Sequence, residues 1–255
     1  MVSSRIFVTG DIHGNPINKK LNERKARLGT KRWPEQNDLG DDDFLVFLGD
    51  FGVLWRYVPD RVEEFSIKWL DKKNCTNLVI GGNHENWDRL RSLPMEERWG
   101  AQVGIIGYRT FFIPNGSILT LGDKKVFCMG GAMSTDKTNR IIHDMQNGTK
   151  SWWEGEIPTK EEMDFGVRNL ESVDWKVDYV FTHTMPSSNV DYFASVERRG
   201  LERASDPTAR YLEFIKNHIE YDKWYCGHFH EDKYYGGVRV VFHDVIEISK
   251  ERSNG

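Results

Sequence analysis

Cysteine is scarce, long apolar runs are missing, and positive charge is not in excess; each shortage excludes something. Only three cysteines occur in 255 residues, Cys75, Cys128 and Cys226, and no two stand at a C-x-x-C spacing. An odd, unspaced set argues against a disulfide framework or a thiolate metal motif. Two of the three lie in or beside apolar runs and read as small buried hydrophobes in a reducing compartment. No segment approaches the roughly 18 apolar residues of a membrane helix. The opening MVSSRIFVTG carries an apolar run too short for a signal-peptide core. A cytoplasmic protein without a membrane partner is expected. The formal charge of -4 supplies no bulk attraction to nucleic acid or acidic lipid. Internal repeats, linkers and low-complexity stretches are lacking too, so one domain over residues 1–255 is expected.

What is present is a recurring pattern: a short apolar run that ends in polar donors. The clearest case is Phe44-Leu-Val-Phe-Leu48, which stops at Gly49 and Asp50. The run is too short for a globular helix and rich in strand formers, so it reads as a strand buried on both faces. Ending a buried strand on a carboxylate is costly unless a positive group meets it, and a metal ion is the usual partner. Arg5-IFVTG leads likewise into Asp11-Ile12-His13-Gly14-Asn15, and Asn77-LVIGG into Asn83-His84-Glu85. Val177-DYVFT leads into His183, and Lys223-WYCG into His228-Phe229-His230. Open sheets bind ligands just beyond the carboxyl ends of their strands, so the five ends are expected to converge.

Between these runs, Lys19 to Arg32 carries seven basic residues against one acid and reads as a solvated helix face rather than an anion-steering patch. Pro59-Asp60 opens a helix to about Lys73, with Val62, Phe65, Ile67, Trp69 and Leu70 assigned to the core. A short helix is expected near Asn86 to Ser92. From Val103 to Cys128 the texture is β-like, with turn residues at Asn115-Gly116 and Gly122-Asp123. Gly130 to Trp153 reads as an irregular loop over the ligand face. Its Asp136, Lys137, Arg140 and His143 are candidates to touch substrate, and Trp152-Trp153 a candidate lid. Thr159-Lys-Glu-Glu162 is a capping box that starts a helix to about Ser172. The stretch after His183 reads as a loop; Asp206-Pro207 then begins a helix to about His218. The lone histidines His143, His218 and His243 read as structural, the last inside a terminal strand.

Asp11, His13, Asp50, Asn83, His183, His228 and His230 together offer oxygen and nitrogen donors and no thiolate. This suits two divalent ions, with Mn expected and Fe, Zn, Mg or Ni as alternatives. Seven ligands exceed the need of one ion and suit two that share a bridging carboxylate.

The blocks Gly10-Asp-Ile-His-Gly14, Gly49-Asp50, Gly82-Asn-His-Glu85, the isolated His183 and Gly227-His-Phe-His230 resemble the calcineurin-like metallophosphoesterase superfamily, in its order, over residues 10 to 230. The resemblance implies an α/β fold of two mixed β-sheets packed as a sandwich flanked by helices, in four layers αββα. It implies that Asp11, His13 and His230 hold one metal, that Asn83, His183 and His228 hold the other, and that Asp50 bridges them. It implies a bridging hydroxide that attacks phosphorus in line, with His84 as general acid or phosphoryl stabiliser. Phosphorylated substrates follow: a nucleotide, a small phosphoester or a phosphoprotein.

One departure separates the chain from the protein serine/threonine phosphatases. Where they carry Asp-Arg-Gly after the bridging aspartate, Val53, Leu54 and Trp55 stand here. Arg56 or Arg140 is the candidate replacement for the phosphate-gripping arginine. The phosphatase, phosphodiesterase, nuclease and dinucleotide-polyphosphate hydrolase branches stay open, as does a silent metal-stabilised binding protein. Nucleic acid is the less favoured substrate, since only Lys19 to Arg32 offers a basic groove.

Overall fold

The computed structural model describes residues 4–14, 27–198 and 205–251. In chain order these residues form β1 (Ile6–Thr9), β2 (Phe44–Leu48), α1 (Arg61–Asp71), β3 (Thr76–Ile80), α2 (Trp87–Arg91), β4 (Met95–Arg98), β5 (Ala101–Ile105), β6 (Thr110–Ile113), β7 (Ser117–Leu121) and β8 (Lys124–Met129). Then follow α3 (Lys137–Asn147), α4 (Lys160–Glu171), β9 (Tyr179–Thr182), α5 (Ser187–Val196), α6 (Pro207–Lys216), β10 (Lys223–Cys226), β11 (Tyr234–Tyr235), β12 (Val238–Val240) and β13 (Ile246–Glu247).

The strands make two mixed sheets. One has the order β13-β1-β2-β3-β6-β5-β4, the other β11-β12-β10-β9-β8-β7. Within the first, β1, β2, β3 and β6 run parallel; within the second, β8, β9, β10 and β12 do.

Strand alternation builds the layers. Ile6, Val8, Phe44, Val46, Leu48, Leu78 and Ile80 point from the first sheet to Val126, Cys128, Phe181 and Tyr225 of the second. The intervening Phe7, Leu45, Phe47 and Val79 face the other way, onto Leu70 of α1 and Trp87 and Leu90 of α2. On the second sheet Phe127, Met129, Val180 and Trp224 pack under Leu170 of α4, Val190 and Phe193 of α5, and Leu212 and Ile215 of α6. Both faces of the central strands are therefore apolar, which is why they read as unbroken runs. The result is the expected αββα sandwich.

Helix starts follow their caps. Asp60 accepts from the Val62 and Glu63 amides, the Thr159–Glu162 capping box is complete, and Asp206 accepts from the Thr208 amide.

Several expectations need correction. The irregular segment after Gly130 contains α3, which buries no residue and leaves Ile142 and Met145 exposed, so its few apolar residues do not serve the core. The loop after His183 is mostly α5; its polar start, Ser-Ser-Asn, hid a buried face of Asn189, Val190, Phe193 and Ala194. On α1, Phe65 is 60% exposed while Glu63, Ser66 and Leu70 face inward. Glu63 is tolerated there because Arg89 clasps it with bonds of 2.6 and 2.7 Å. His243 is exposed and precedes the last strand rather than lying inside it, and His143 and His218 are exposed too. Of the basic stretch, residues 19–26 lie outside the described residues. At its described end Arg27 is buried, not solvated, and donates to the Gly10 carbonyl at 2.6 Å and the Thr9 hydroxyl at 3.1 Å.

Candidate metal centre

Parallel pairing brings the carboxyl ends of β1, β2 and β3 to one edge of the first sheet, and the ends of β8, β9 and β10 to the matching edge of the second. Bonds across the sandwich lock the two edges together. The His183 ring nitrogen Nδ1 lies 2.8 Å from the Leu48 carbonyl, the Gly131 amide donates to Gly81 O at 2.9 Å, and the His228 amide donates to Asp11 Oδ2 at 3.0 Å.

Asp11, His13, Asp50 and His230 bring one donor atom each within 4.8 Å of one another. His230 Nε2 lies 3.4 Å from Asp11 Oδ1, and His13 Nε2 lies 3.6 Å from Asp50 Oδ2. On the other side of Asp50, His183 Nε2 lies 3.3 Å from Asp50 Oδ1 and 3.0 Å from Asn83 Oδ1. The His228 ring stands 4.9 Å from that of His183. Because Nδ1 of His183 donates to a backbone carbonyl, Nε2 is left as the ligand nitrogen. Four of the seven predicted ligands thus converge tightly, while His183 and Asn83 meet on the other side of Asp50 and His228 stands beside them through its ring contact with His183.

The donor set fits divalent cations. Lone pairs of carboxylate, amide and imidazole converge, and Asp11 and Asp50 are almost wholly buried. The backbone shows the same purpose. Among the described residues nine non-glycine positions have positive φ, and Asp11, His13, Asp50, His228 and His230 are five of them. Such conformations cost about 1–3 kcal/mol each and persist where the surroundings enforce them. Close approach also demands glycine at two places. A Cβ on Gly82 would stand 2.2 Å from Asp50 Oδ1, and one on Gly49 would meet the His183 ring at 2.0 Å.

Burial by itself would raise the Asp50 carboxyl, but His183, His84 and His13 together hold it well below the usual range. Burial opposes a charged His183, yet Asp50 prevails and lifts it to about 9. The centre therefore already balances buried negative charge with positive charge, and a bound cation would take over from the proton.

His84 lies beside the ligands, not among them. Its backbone amide donates to Asp50 Oδ1 at 2.8 Å, and its ring meets that of His13 edge to face at 5.0 Å. Burial holds its pKa below the usual value, and Arg140 adds to the effect against Asp50. A guanidinium nitrogen of Arg140 touches the His84 ring. That guanidinium, 10% exposed, is held from behind by Asp136 at 2.9 Å and the Ser151 carbonyl at 3.0 Å. Arg56, by contrast, is 69% exposed and pairs with Asp60 at 3.1 Å. It stands at the rim of a cleft of about 400 Å³ that His13 and His84 share with Val53, Trp55 and Val62. Lys137 lies over the Trp152 ring at 4.1 Å, and Trp153 is buried in the core rather than a lid.

Sequence reading passed over Glu85. Its carboxylate accepts from the Phe51 amide at 2.6 Å and the Gly52 amide at 3.1 Å, so it clamps the loop that carries Asp50. Burial, reinforced by Asp50, raises it to about 8. Glu85→Ala strips two backbone donors of their partner and is expected to cost about 1–3 kcal/mol. Denaturant unfolding checks this; an unchanged midpoint removes the clamp. Only the adjacency of Glu85 to His84 marked it in the sequence.

No curated protein matches the sequence. Among solved structures, one similar chain is the 2.05 Å crystal structure of a Staphylococcus aureus protein described as a 5′-nucleotidase, in complex with α-ketoglutarate. It shares 13% identity at a TM-score of 0.43, and the match covers 94% of this chain and 48% of that one. The family model for calcineurin-like phosphoesterases matches residues 4–232. With that span of sequence and the two-sheet sandwich in agreement, the chain belongs to the calcineurin-like phosphoesterases.

Proposed function

We propose that the chain hydrolyses small phosphate monoesters at a pair of divalent ions, with Mn²⁺ the working metal. Asp11, His13 and His230 would hold one ion, Asn83, His183 and His228 the other, and Asp50 would serve both. Bound there, the ions would supply a nucleophilic water at neutral pH and neutralise charge on the phosphoryl oxygens.

The observation that carries the monoester reading is the half-buried Arg140 against His84. A terminal phosphoryl group has one more negative charge to match than a diester, and Arg140 adds a fixed cation beyond the metal ligands. His84 would act on the substrate, as proton donor to the leaving oxygen or as N–H donor to the phosphoryl group. Arg140 and Asp136 would orient its ring. The cleft behind His13 and His84 would take the leaving group, with Val53, Trp55 and Val62 as its walls and Arg56 at its mouth. A cleft of this size suits a small organic alcohol. The chain has no net positive charge to favour a nucleic-acid substrate. Three buried free thiols support a reducing, cytoplasmic setting.

The test compares p-nitrophenyl phosphate with bis-p-nitrophenyl phosphate on the full chain titrated with Mn²⁺. Preference for the monoester, lost on Arg140→Ala, is expected. Preference for the diester, or for single-stranded DNA, would move the chain to another branch.

A further inference from the structure

Asn83 is the one predicted ligand whose two terminal atoms differ in kind. Its amide oxygen can face a cation; its amide nitrogen, a double donor, cannot. Something must decide which way the amide points. The Asn83 nitrogen Nδ2 donates to the Ser134 hydroxyl at 3.0 Å. That hydroxyl donates to Glu156 Oε2 at 2.5 Å, and the Ser134 amide donates to Glu156 Oε1 at 3.0 Å. Asn83, Ser134 and Glu156 are 4%, 5% and 2% exposed, so water does not compete for these bonds.

The chain of bonds has a direction. Glu156 accepts the Ser134 amide on Oε1 and the Ser134 hydroxyl on Oε2, so it takes both hydrogens that Ser134 offers. The Ser134 oxygen is then left as an acceptor, and only the NH₂ end of Asn83 satisfies it. The oxygen Oδ1 is thereby turned toward His183 Nε2. Neither Ser134 nor Glu156 lies on a ligand-bearing strand end. Ser134 follows β8, and Glu156 sits in the 3₁₀ turn Glu154–Glu156.

We infer that Ser134 and Glu156 are positioning residues that fix the polarity of the Asn83 amide and so complete the second ion's ligand set. This rests on the paired centre proposed above. Glu156→Gln removes the direction: an amide can donate to the Ser134 oxygen, which frees that hydroxyl to donate to a flipped Asn83. Ser134→Ala removes the link outright. Outer partners of metal ligands typically set about 10–100-fold in metal affinity.

The experiment loads the full-length chain with Mn²⁺, challenges it with graded EDTA, and counts ions per chain by mass spectrometry. Wild type is expected to hold two ions. Ser134→Ala and Glu156→Gln are expected to hold one as firmly as wild type and to release the other at ~10–100-fold less chelator. Ser134→Thr, which keeps the hydroxyl, should restore it. The decisive arm uses Asn83→Asp, whose carboxylate has no wrong end: in that background Ser134→Ala should have no further effect on retention. Two ions retained by both single variants would overturn the inference. So would an equal loss from Ser134→Ala in the Asn83→Asp background, because the effect would then be structural. A wild-type chain that holds a single ion would instead overturn the paired centre, and the inference with it. Should Ser134→Ala fail to fold, Glu156→Gln, which preserves side-chain volume, carries the same comparison.

Discussion

Asp50→Asn is expected to leave a chain that holds neither ion firmly and turns over no ester. The carboxylate stands between His13 Nε2 and His183 Nε2, at 3.6 and 3.3 Å from its two oxygens, and also accepts the His84 amide. An amide keeps the shape but loses the charge, and it turns an NH₂ group toward the nitrogens proposed as metal ligands. Removing one partner of a buried charge cluster is worse than never having built it, since the remaining charges stay desolvated. The affinity for both ions should fall by more than the ~10–100-fold seen when a mere outer partner is lost. Metal content after dialysis, read beside circular dichroism to confirm the fold, checks this. Two ions tightly retained by the variant would sink the bridging role.

His84→Ala should do the opposite and separate metal from turnover. The imidazole is outside the ligand cluster, and the backbone amide that holds Asp50 survives the substitution. Metal content is expected to match wild type while kcat falls by roughly 10²–10⁴, the usual contribution of a positioned proton donor. An effect confined to KM would make His84 a binding group only. A rate near wild type would remove it from the chemistry.

Much of this centre was legible in the chain because buried parallel strands are unmistakable. Phe44–Leu48 is apolar on both faces since one face meets the second sheet and the other meets α1 and α2. Such a run cannot end on a carboxylate without a reason, and five ends of the same kind point to one edge. The residues that hold the centre together were less legible. Glu85, Ser134 and Glu156 look like ordinary polar residues of loops and turns, and their meaning lies in which buried atom they meet. Arg140 was marked only by its place in a loop. Its helix, α3, buries no residue, so no core contact sets it apart from a surface loop.

The sequence by itself determined the types of the candidate ligands, their order along the chain and the strands that present them, because these depend on local hydrophobic pattern and on side-chain chemistry. The tertiary structure alone decided that His183, arriving from the second sheet, meets Asp50 from the first, and that the Asn83 amide faces inward. Only folding brings Leu48 within 2.8 Å of His183 and Ser134 within 3.0 Å of Asn83, across 135 and 51 residues of chain. Contacts at that separation are set by how two sheets pack, and no local period records them.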